Sequence, residues 1–170
     1  MLGGSTGVLW TKPPFSSHFM VKAVSSRCGK AARLRRVSEE AEERLGRDGL
    51  GELIGIEYQE TGDEEIRARI AVTDAVRQPV GLVHGGVYAA LAESMCSAAT
   101  WQAVHGHGMA AMGQANSATF LRPITEGHVN AVARPRHRGR TTWVWDVEIS
   151  DDQGRACALV RMTVAVRPSP

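Results

Sequence analysis

Residues 85–103 constrain the fold most, because they read as one long and almost wholly apolar helix. The stretch GGVYAALAESMCSAATWQA is rich in Ala, Leu and Met, and Glu93 is its one charged residue. Its many small side chains would let another layer of structure approach closely. A helix this apolar has to be covered on most of its surface, so the rest of the chain is expected to pack around it.

Strand patterns lie on both sides of this helix. Before it, residues 53–60 and 64–73 predict a hairpin with its turn at 61–63, preceded by a short helix within 38–50 that ends near Gly46 or Gly49. After it, a glycine-rich break at 106–113 leads into an antiparallel meander of four predicted strands, at 114–121, 127–136, 141–150 and 155–167. The pattern predicts an α+β domain, in which a curved antiparallel sheet of five to six strands wraps around one long central helix at about 85–103.

Composition narrows the class of protein. The chain has 170 residues and 43% hydrophobic content, which fits one domain over residues 38–170. No apolar run approaches the roughly 20 residues that span a bilayer. Three widely spaced cysteines without a CxxC motif argue against a disulfide framework and favour the cytoplasm.

Charge is unevenly distributed along the chain. Residues 1–38 carry seven Lys and Arg and no acid, and the remainder has 13 Arg against 18 acids. A weakly acidic body does not indicate a nucleic-acid binder. The basic head, residues 1–37, has three readings: a targeting peptide, a disordered tail, or sequence upstream of a later start such as Met20. We expect a disordered tail or a mis-assigned start.

The start of the long helix carries the first candidate chemistry. Helix N-termini present free backbone N–H groups, and Gly85 and Gly86 leave those amides open to a ligand such as a developing oxyanion. Taken alone, the two glycines are better explained by a tight turn into the helix. Few polar residues flank Glu93, so we expect it to be buried, and a buried carboxylate is costly unless it is paired, hydrogen-bonded or functional. Ser97 lies one turn further on the same face.

Helix geometry predicts how these groups would cooperate. Gly85 and Glu93 are eight residues apart, which is roughly 12 Å along a helix axis. One substrate carbonyl cannot touch both within one chain. Two antiparallel copies of the helix, as in a twofold homodimer, would bring the N-terminus of one to the Glu93 of the other.

One motif is specific in its spacing: Gln78-Pro79, Gly81, His84-Gly85-Gly86, Glu93 and Ser97. It resembles the hotdog-fold acyl-CoA thioesterases of the PaaI-like branch. That branch includes aryl-CoA hydrolases acting on hydroxybenzoyl-CoA and 1,4-dihydroxy-2-naphthoyl-CoA. The resemblance covers about residues 50–167. It implies that Glu93 is the nucleophile or general base, and that the Gly85 amide forms the oxyanion hole. It also implies that Gln78 and His84 orient the thioester, that Ser97 positions the water or Glu93, and that the assembly is a homodimer or a dimer of dimers (a homotetramer).

A basic cluster follows in residues 134–140. Four Arg in seven residues could hold the phosphates of CoA, or could simply be a solvated loop. The resemblance implies that the CoA path includes Arg122, His137, Arg138, Gly139 and Arg140. CoA would be part of the substrate, so no cofactor is expected, and His105 and His107 lack a third ligand for a metal.

Two other functions remain open from the sequence. A non-catalytic acyl-CoA binding or sensing module could use the same fold, although binding alone needs neither Glu93 nor Ser97. A hydratase or dehydratase is disfavoured, because the spacing from His84-Gly85-Gly86 to Glu93 does not resemble the patterns of those enzymes.

Overall fold

The structure is a computed structural model that describes residues 49–61 and 64–169. The predicted basic head and most of the short helix predicted within 38–50 lie outside these residues. The described helices and strands are α1 (Gly49–Ile54), β1 (Ile56–Thr61), β2 (Ile66–Ala71), α2 (Gly85–Val104), β3 (Met109–Phe120), β4 (His128–Arg138), β5 (Thr142–Ser150) and β6 (Ala156–Pro168).

The strands form one antiparallel sheet in the order β1-β2-β4-β5-β6-β3. The predicted six-strand sheet around a single long helix is confirmed. The predicted meander holds for β4, β5 and β6, but it is wrong for β3. Strand β3 pairs with β6 rather than with β4, the next strand along the chain, and β6 pairs with β5 on its other side. Strand β3 therefore lies at the edge of the sheet.

Two predicted boundaries are wrong. Leu53 and Ile54 belong to α1 rather than to the first strand, and Gly55, with φ of 72°, ends that helix in a conformation that only glycine adopts easily. The segment 109–113, predicted as a break, is already strand, because Met109 to Gly113 pair with β6.

The core lies between α2 and the concave face of the sheet. Side chains alternate along β4, β5 and β6, so that every second residue is buried under the helix, as for Trp145, Val147 and Ile149 on β5. The helix contributes the stripe Val87, Tyr88, Leu91, Ala92, Met95, Cys96 and Thr100.

One hydrogen-bonded chain crosses this core. The Trp145 indole N–H donates to Thr100 Oγ1 at 3.0 Å, and the Thr100 hydroxyl donates to the Cys96 carbonyl at 2.8 Å. The bond to Thr100 satisfies the indole N–H of the fully buried Trp145 and fixes α2 over β5. Burial raises the pKa of the Cys96 thiol, which fits the predicted role of Cys96 as a small buried side chain.

Candidate active site

One face of α2 runs along the inner side of the edge strand β3. Three contacts mark this face. The Phe120 ring packs against Gly85, the Asn116 side chain bonds to the Ala89 carbonyl, and the Glu93 carboxylate lies over Gly113. The three helix residues follow at intervals of four, so they stand above one another on the helix. The candidate site therefore lies at the open edge of the sheet.

A β-bulge in β3 makes this row of contacts possible. The pairing with β6 shifts between Gly113 and Ala115, so that Gln114 is an extra residue. Gly113 lies opposite Val164 and Asn116 lies opposite Met162, both of which are buried and face the helix. Without the extra residue, Gly113 and Asn116 would point to opposite faces of the sheet, because the side-chain period of a strand is two.

The N-terminus of α2 is capped by the side chain of the preceding residue. His84 Nδ1 accepts a hydrogen bond from the Gly86 N–H at 2.9 Å, and the Val87 N–H donates to the His84 carbonyl at 2.9 Å. The Gly85 N–H has no hydrogen-bond partner among the described residues. The first turn of the helix thus keeps one amide available for a ligand, beside the exposed ring of Phe120.

Gln78 is brought toward this end of the helix by a closed loop. The Gln78 N–H donates to the Leu82 carbonyl at 2.8 Å, and the His84 N–H donates to the Val76 carbonyl at 2.9 Å. These bonds fold residues 77–83 back on themselves, so that the backbones of Gln78 and His84 lie at the base of the same closed loop. The structure brings together Gln78, His84 and Gly85.

Glu93 is exposed in the single chain, so the expectation that it is buried is wrong. Its helix face lies over the edge strand, and no further strand of the described chain lies beyond β3. Ser97, one turn on, has a buried hydroxyl without a hydrogen-bond partner among the described residues. The Ser97 hydroxyl is therefore a buried polar group that the described chain leaves unsatisfied, next to a carboxylate that it leaves exposed.

Gly85 and Glu93 do not meet within the chain. Both lie on α2, with two helical turns or roughly 12 Å between them. Gly85 lies near the end of β3 at Phe120, and Glu93 lies nearer its start, at Gly113. The structure therefore separates the two predicted catalytic groups along one strand edge, as the helix geometry requires.

The basic cluster divides into two parts. Arg134 and Arg136 are ion-paired with Glu65 and with Asp146, the second at 3.0 Å, on the outer face of the sheet. Arg138 stacks over Trp143, with 5.2 Å between its guanidinium carbon and the ring centroid, and its Nη1 lies 3.6 Å from the Glu64 carboxylate. His137, Arg140 and Arg122 have no ion pair among the described residues.

The predicted CoA-binding residues also lie at two opposite ends of the sheet. Arg138 pairs with Trp143 and Trp143 pairs with Val164, which lies opposite Gly113, so the loop at Gly139 extends from the end of the sheet where Glu93 lies. Arg122 follows Phe120 at the other end, near Gly85. One chain does not gather both parts of this set.

Three candidate residues were missed by the sequence analysis: Gly113, Asn116 and Phe120. Each faces α2 from β3, but the bulge at Gln114 changes which residues of the strand face inward. The strand mixes small, polar and apolar side chains, so no residue pattern sets these three apart from their neighbours. No pattern of residue types locates a bulge reliably.

Within the described residues, no cluster of three His, Cys, Asp or Glu side chains could hold a metal ion, and no helix is long and apolar enough to cross a membrane.

Comparison with known proteins identifies the family. Residues 80–158 match the Thioesterase superfamily. The 1,4-dihydroxy-2-naphthoyl-CoA hydrolase of Escherichia coli (strain K12) is 33% identical over 132 residues, which cover 78% of this chain and 96% of that protein. The crystal structure of a glutamine-to-alanine mutant of thioesterase PA1618 from Pseudomonas aeruginosa has a TM-score of 0.73 and 36% identity, covering 79% of this chain and 98% of that one.

A second similar structure is the thioesterase SAV0944 of Staphylococcus aureus, solved as one mutant with a glutamine replaced by alanine and as another with a glutamate replaced by alanine. The TM-score is 0.68 for both, with 31% and 32% identity, over 70% of this chain and 98% of that chain.

The long helix, the curved six-strand sheet and these relatives define a hotdog-fold thioesterase. The chain belongs to the Thioesterase superfamily, and its class of reaction is the hydrolysis of thioesters.

Proposed function

We propose that the chain hydrolyses acyl-CoA thioesters with an aromatic or medium-chain acyl group, releasing the free acid and CoA. The observation that carries the proposal is the placement of Glu93. Its carboxylate lies over Gly113 at the exposed edge of the sheet, on the same helix face as the unpaired Gly85 amide. A carboxylate and an oxyanion-binding amide are the two groups that thioester hydrolysis needs most.

In the proposed reaction, the Gly85 N–H donates to the thioester carbonyl oxygen and stabilises the negative charge that develops on it. Glu93 either attacks the carbonyl carbon directly or removes a proton from the attacking water. The carbon–sulfur bond then breaks, and the CoA thiolate takes up a proton. If Glu93 is the nucleophile, this step leaves a mixed anhydride between the acyl group and Glu93, which water hydrolyses to release the free acid and restore the carboxylate. Gln78 and His84 orient the thioester, and Ser97 orients Glu93 or the water.

The proposal includes a homodimer, because neither end of α2 completes a site alone. Strand β3 is long and carries no charged residue, and it pairs only with β6 among the described strands, so its outer edge is open to a second strand. Met112 is half exposed on it, beside the small residues that follow. Antiparallel pairing of two β3 strands would place the Gly85 of each chain opposite the Glu93 of the other.

The same pairing accounts for the separation of the CoA-binding residues. Arg122 of one chain would join the loop His137, Arg138, Gly139 and Arg140 of the other, next to one Gly85 and one Glu93. Arg122 and Arg140 have no ion pair among the described residues, and Arg138 has only a loose one, with the exposed Glu64 at 3.6 Å. Guanidinium groups without a close internal partner suit phosphates. We extend the proposal to a homotetramer, because the outer face of the sheet still exposes Leu159.

The Staphylococcus aureus thioesterase supports the choice of Gln78 and Glu93. The glutamine and the glutamate that were changed in its two solved mutants are fifteen positions apart. Gln78 and Glu93 have the same spacing. The name of the Escherichia coli relative supports a CoA ester with an aromatic acyl group.

The test is hydrolysis of a panel of aryl-CoA and fatty-acyl-CoA esters by the full chain, with release of the CoA thiol as the readout. We expect Glu93→Gln to lower kcat at least a hundredfold, because it removes the base or nucleophile but keeps the size of the side chain. The matched control is Glu148→Gln, an exposed glutamate on the outer face of β5. Tight binding of acyl-CoA without turnover would instead indicate a binding or sensing module.

A further inference from the structure

Asn116 is an unusual residue for its position. The residues of β3 that face α2 are Ala111, Gly113, Asn116, Ala118 and Phe120, and Asn116 is the polar one among them. It is exposed in the single chain, where water could satisfy its amide, yet its side chain takes a partner on the helix. This bond gives Asn116 a specific role in how β3 meets α2.

The partner is a carbonyl in the middle of the helix. Asn116 Nδ2 donates to the Ala89 carbonyl oxygen at 2.9 Å. In a regular α-helix the same carbonyl accepts the N–H of the residue four positions later, which here is Glu93. The Asn116 amide and the Glu93 backbone thus share one acceptor.

Ala89 also lies halfway between the two groups of the proposed site. It is four residues after Gly85 and four before Glu93, on the same helix face. Apolar contacts along this face are few, because Gly113, Ala118 and Ala89 offer little or no side-chain surface. Such contacts are non-directional, whereas a hydrogen bond to one carbonyl adds a directional restraint on the register of α2 against β3.

We propose that Asn116 is a positioning residue for thioester hydrolysis, acting through the Ala89 carbonyl on the helical turn that carries Glu93. This inference rests on the proposed function, since it assigns Asn116 a part in the same site. Catalytic geometry is sensitive to shifts of about 1 Å, which can lower a rate by roughly a hundredfold. Loss of the bond should therefore affect the chemical step more than substrate binding.

The test replaces Asn116 by Leu, which has a similar volume but no donor, in the full-length protein. We expect kcat for the best acyl-CoA substrate to fall roughly ten- to a hundredfold, with KM changed less than about twofold. The matched control is Asn130→Leu. Asn130 lies on β4 and donates from Nδ2 to Asp152 Oδ1, also at 2.9 Å, on the outer face of the sheet, opposite to the face that α2 covers. It should leave both constants unchanged.

Two further measurements separate positioning from general stabilisation. In the Glu93→Gln background, Asn116→Leu should cause no additional loss of kcat, because two residues that act through one group are not additive. Amide hydrogen exchange should be faster at Glu93 in Asn116→Leu than in the wild type, and unchanged there in Asn130→Leu. Asn116→Ala serves as the second variant if the leucine side chain prevents folding.

The outcomes distinguish this inference from the proposed function. Unchanged kcat in both Asn116 variants, alongside an inactive Glu93→Gln, would overturn the positioning role and leave the proposed function intact. An equal and additive loss in the Glu93→Gln background would also overturn it. A fully active Glu93→Gln, or a wild type that hydrolyses no thioester, would overturn both.

Discussion

Oε1 of Glu93 lies 2.6 Å from the point that a Cβ atom would occupy on Gly113. Only glycine leaves this space, so the carboxylate rests directly on the backbone of the edge strand. The Met162 methyl group lies 2.9 Å from the same point on its other side. Gly113 thus determines where the Glu93 carboxylate can stand, although nothing in its sequence context marks it as part of a site.

Gly113→Ala should lower kcat while changing stability little. The added methyl group would displace the ends of two flexible side chains, Glu93 and Met162, which can move at small cost to the fold. The carboxylate would move, and misplacement by about 1 Å can cost up to roughly a hundredfold in rate. The measurement is kcat together with Tm. Gly106→Ala is the control, since a Cβ there meets nothing within 4 Å; equal activity of the two variants would contradict the prediction.

The sequence predicts the long helix and its chemistry because both depend on local patterns. The run from Gly85 to Ala103 has helical composition, and the eight-residue spacing of Gly85 and Glu93 already requires two chains. The place of β3 depends instead on pairing with β6, some 40 residues later, and on one bulged residue. The residue pattern of a strand does not determine which other strand it pairs with or where a bulge falls. For this reason the exposure of Glu93 and the role of Gly113 were not predicted.

Thr100→Val should destabilise the fold by about 1–3 kcal/mol. The substitution keeps the shape of the side chain but leaves the Trp145 indole N–H buried without its acceptor, and an unsatisfied buried donor costs about that much. Thr100→Ser retains the hydroxyl and should be less destabilised. Urea unfolding of both variants measures the difference, and a Val variant as stable as the wild type would show that the Trp145 bond contributes nothing.

Asp151→Asn should weaken the turn between β5 and β6 in a pH-dependent way. Burial alone would raise the pKa of Asp151, but hydrogen bonds from the Arg155 backbone and side chain and the Arg155 charge hold it below the usual 3.8. A carboxyl whose pKa is lower in the folded state stabilises the fold above its unfolded pKa, and this contribution is lost as the pH falls toward the folded pKa.

The measurement is Tm from pH 7 down to pH 3 for the wild type and Asp151→Asn. We expect the wild type to be more stable at pH 7 and the gap to narrow below about pH 4, where Asp151 begins to be protonated in the unfolded chain while the folded state still holds it ionised. Glu148→Gln controls for the loss of an exposed carboxylate. A gap of constant size across this range would mean that the ionised form of Asp151 adds no stability.

Mixing two inactive variants should restore activity if each site takes Gly85 from one chain and Glu93 from the other. Glu93→Gln lacks the carboxylate. Gly85→Val adds a side chain where a Cβ would already lie 2.9 Å from the Phe120 ring, which blocks the approach to the Gly85 amide. A heterodimer of the two has one site with both defects and one site with none.

Random exchange of equal amounts makes about half of the dimers mixed, each with one intact site, so the mixture should recover about a quarter of wild-type activity. The experiment unfolds the two variants together, refolds them, and measures acyl-CoA hydrolysis. Each variant refolded alone is the control, and its Tm verifies that the valine is tolerated. If both groups acted within a single chain, every chain in the mixture would carry a defect and no activity would return. Recovery therefore requires that Gly85 and Glu93, separated along one helix, meet across two copies of it.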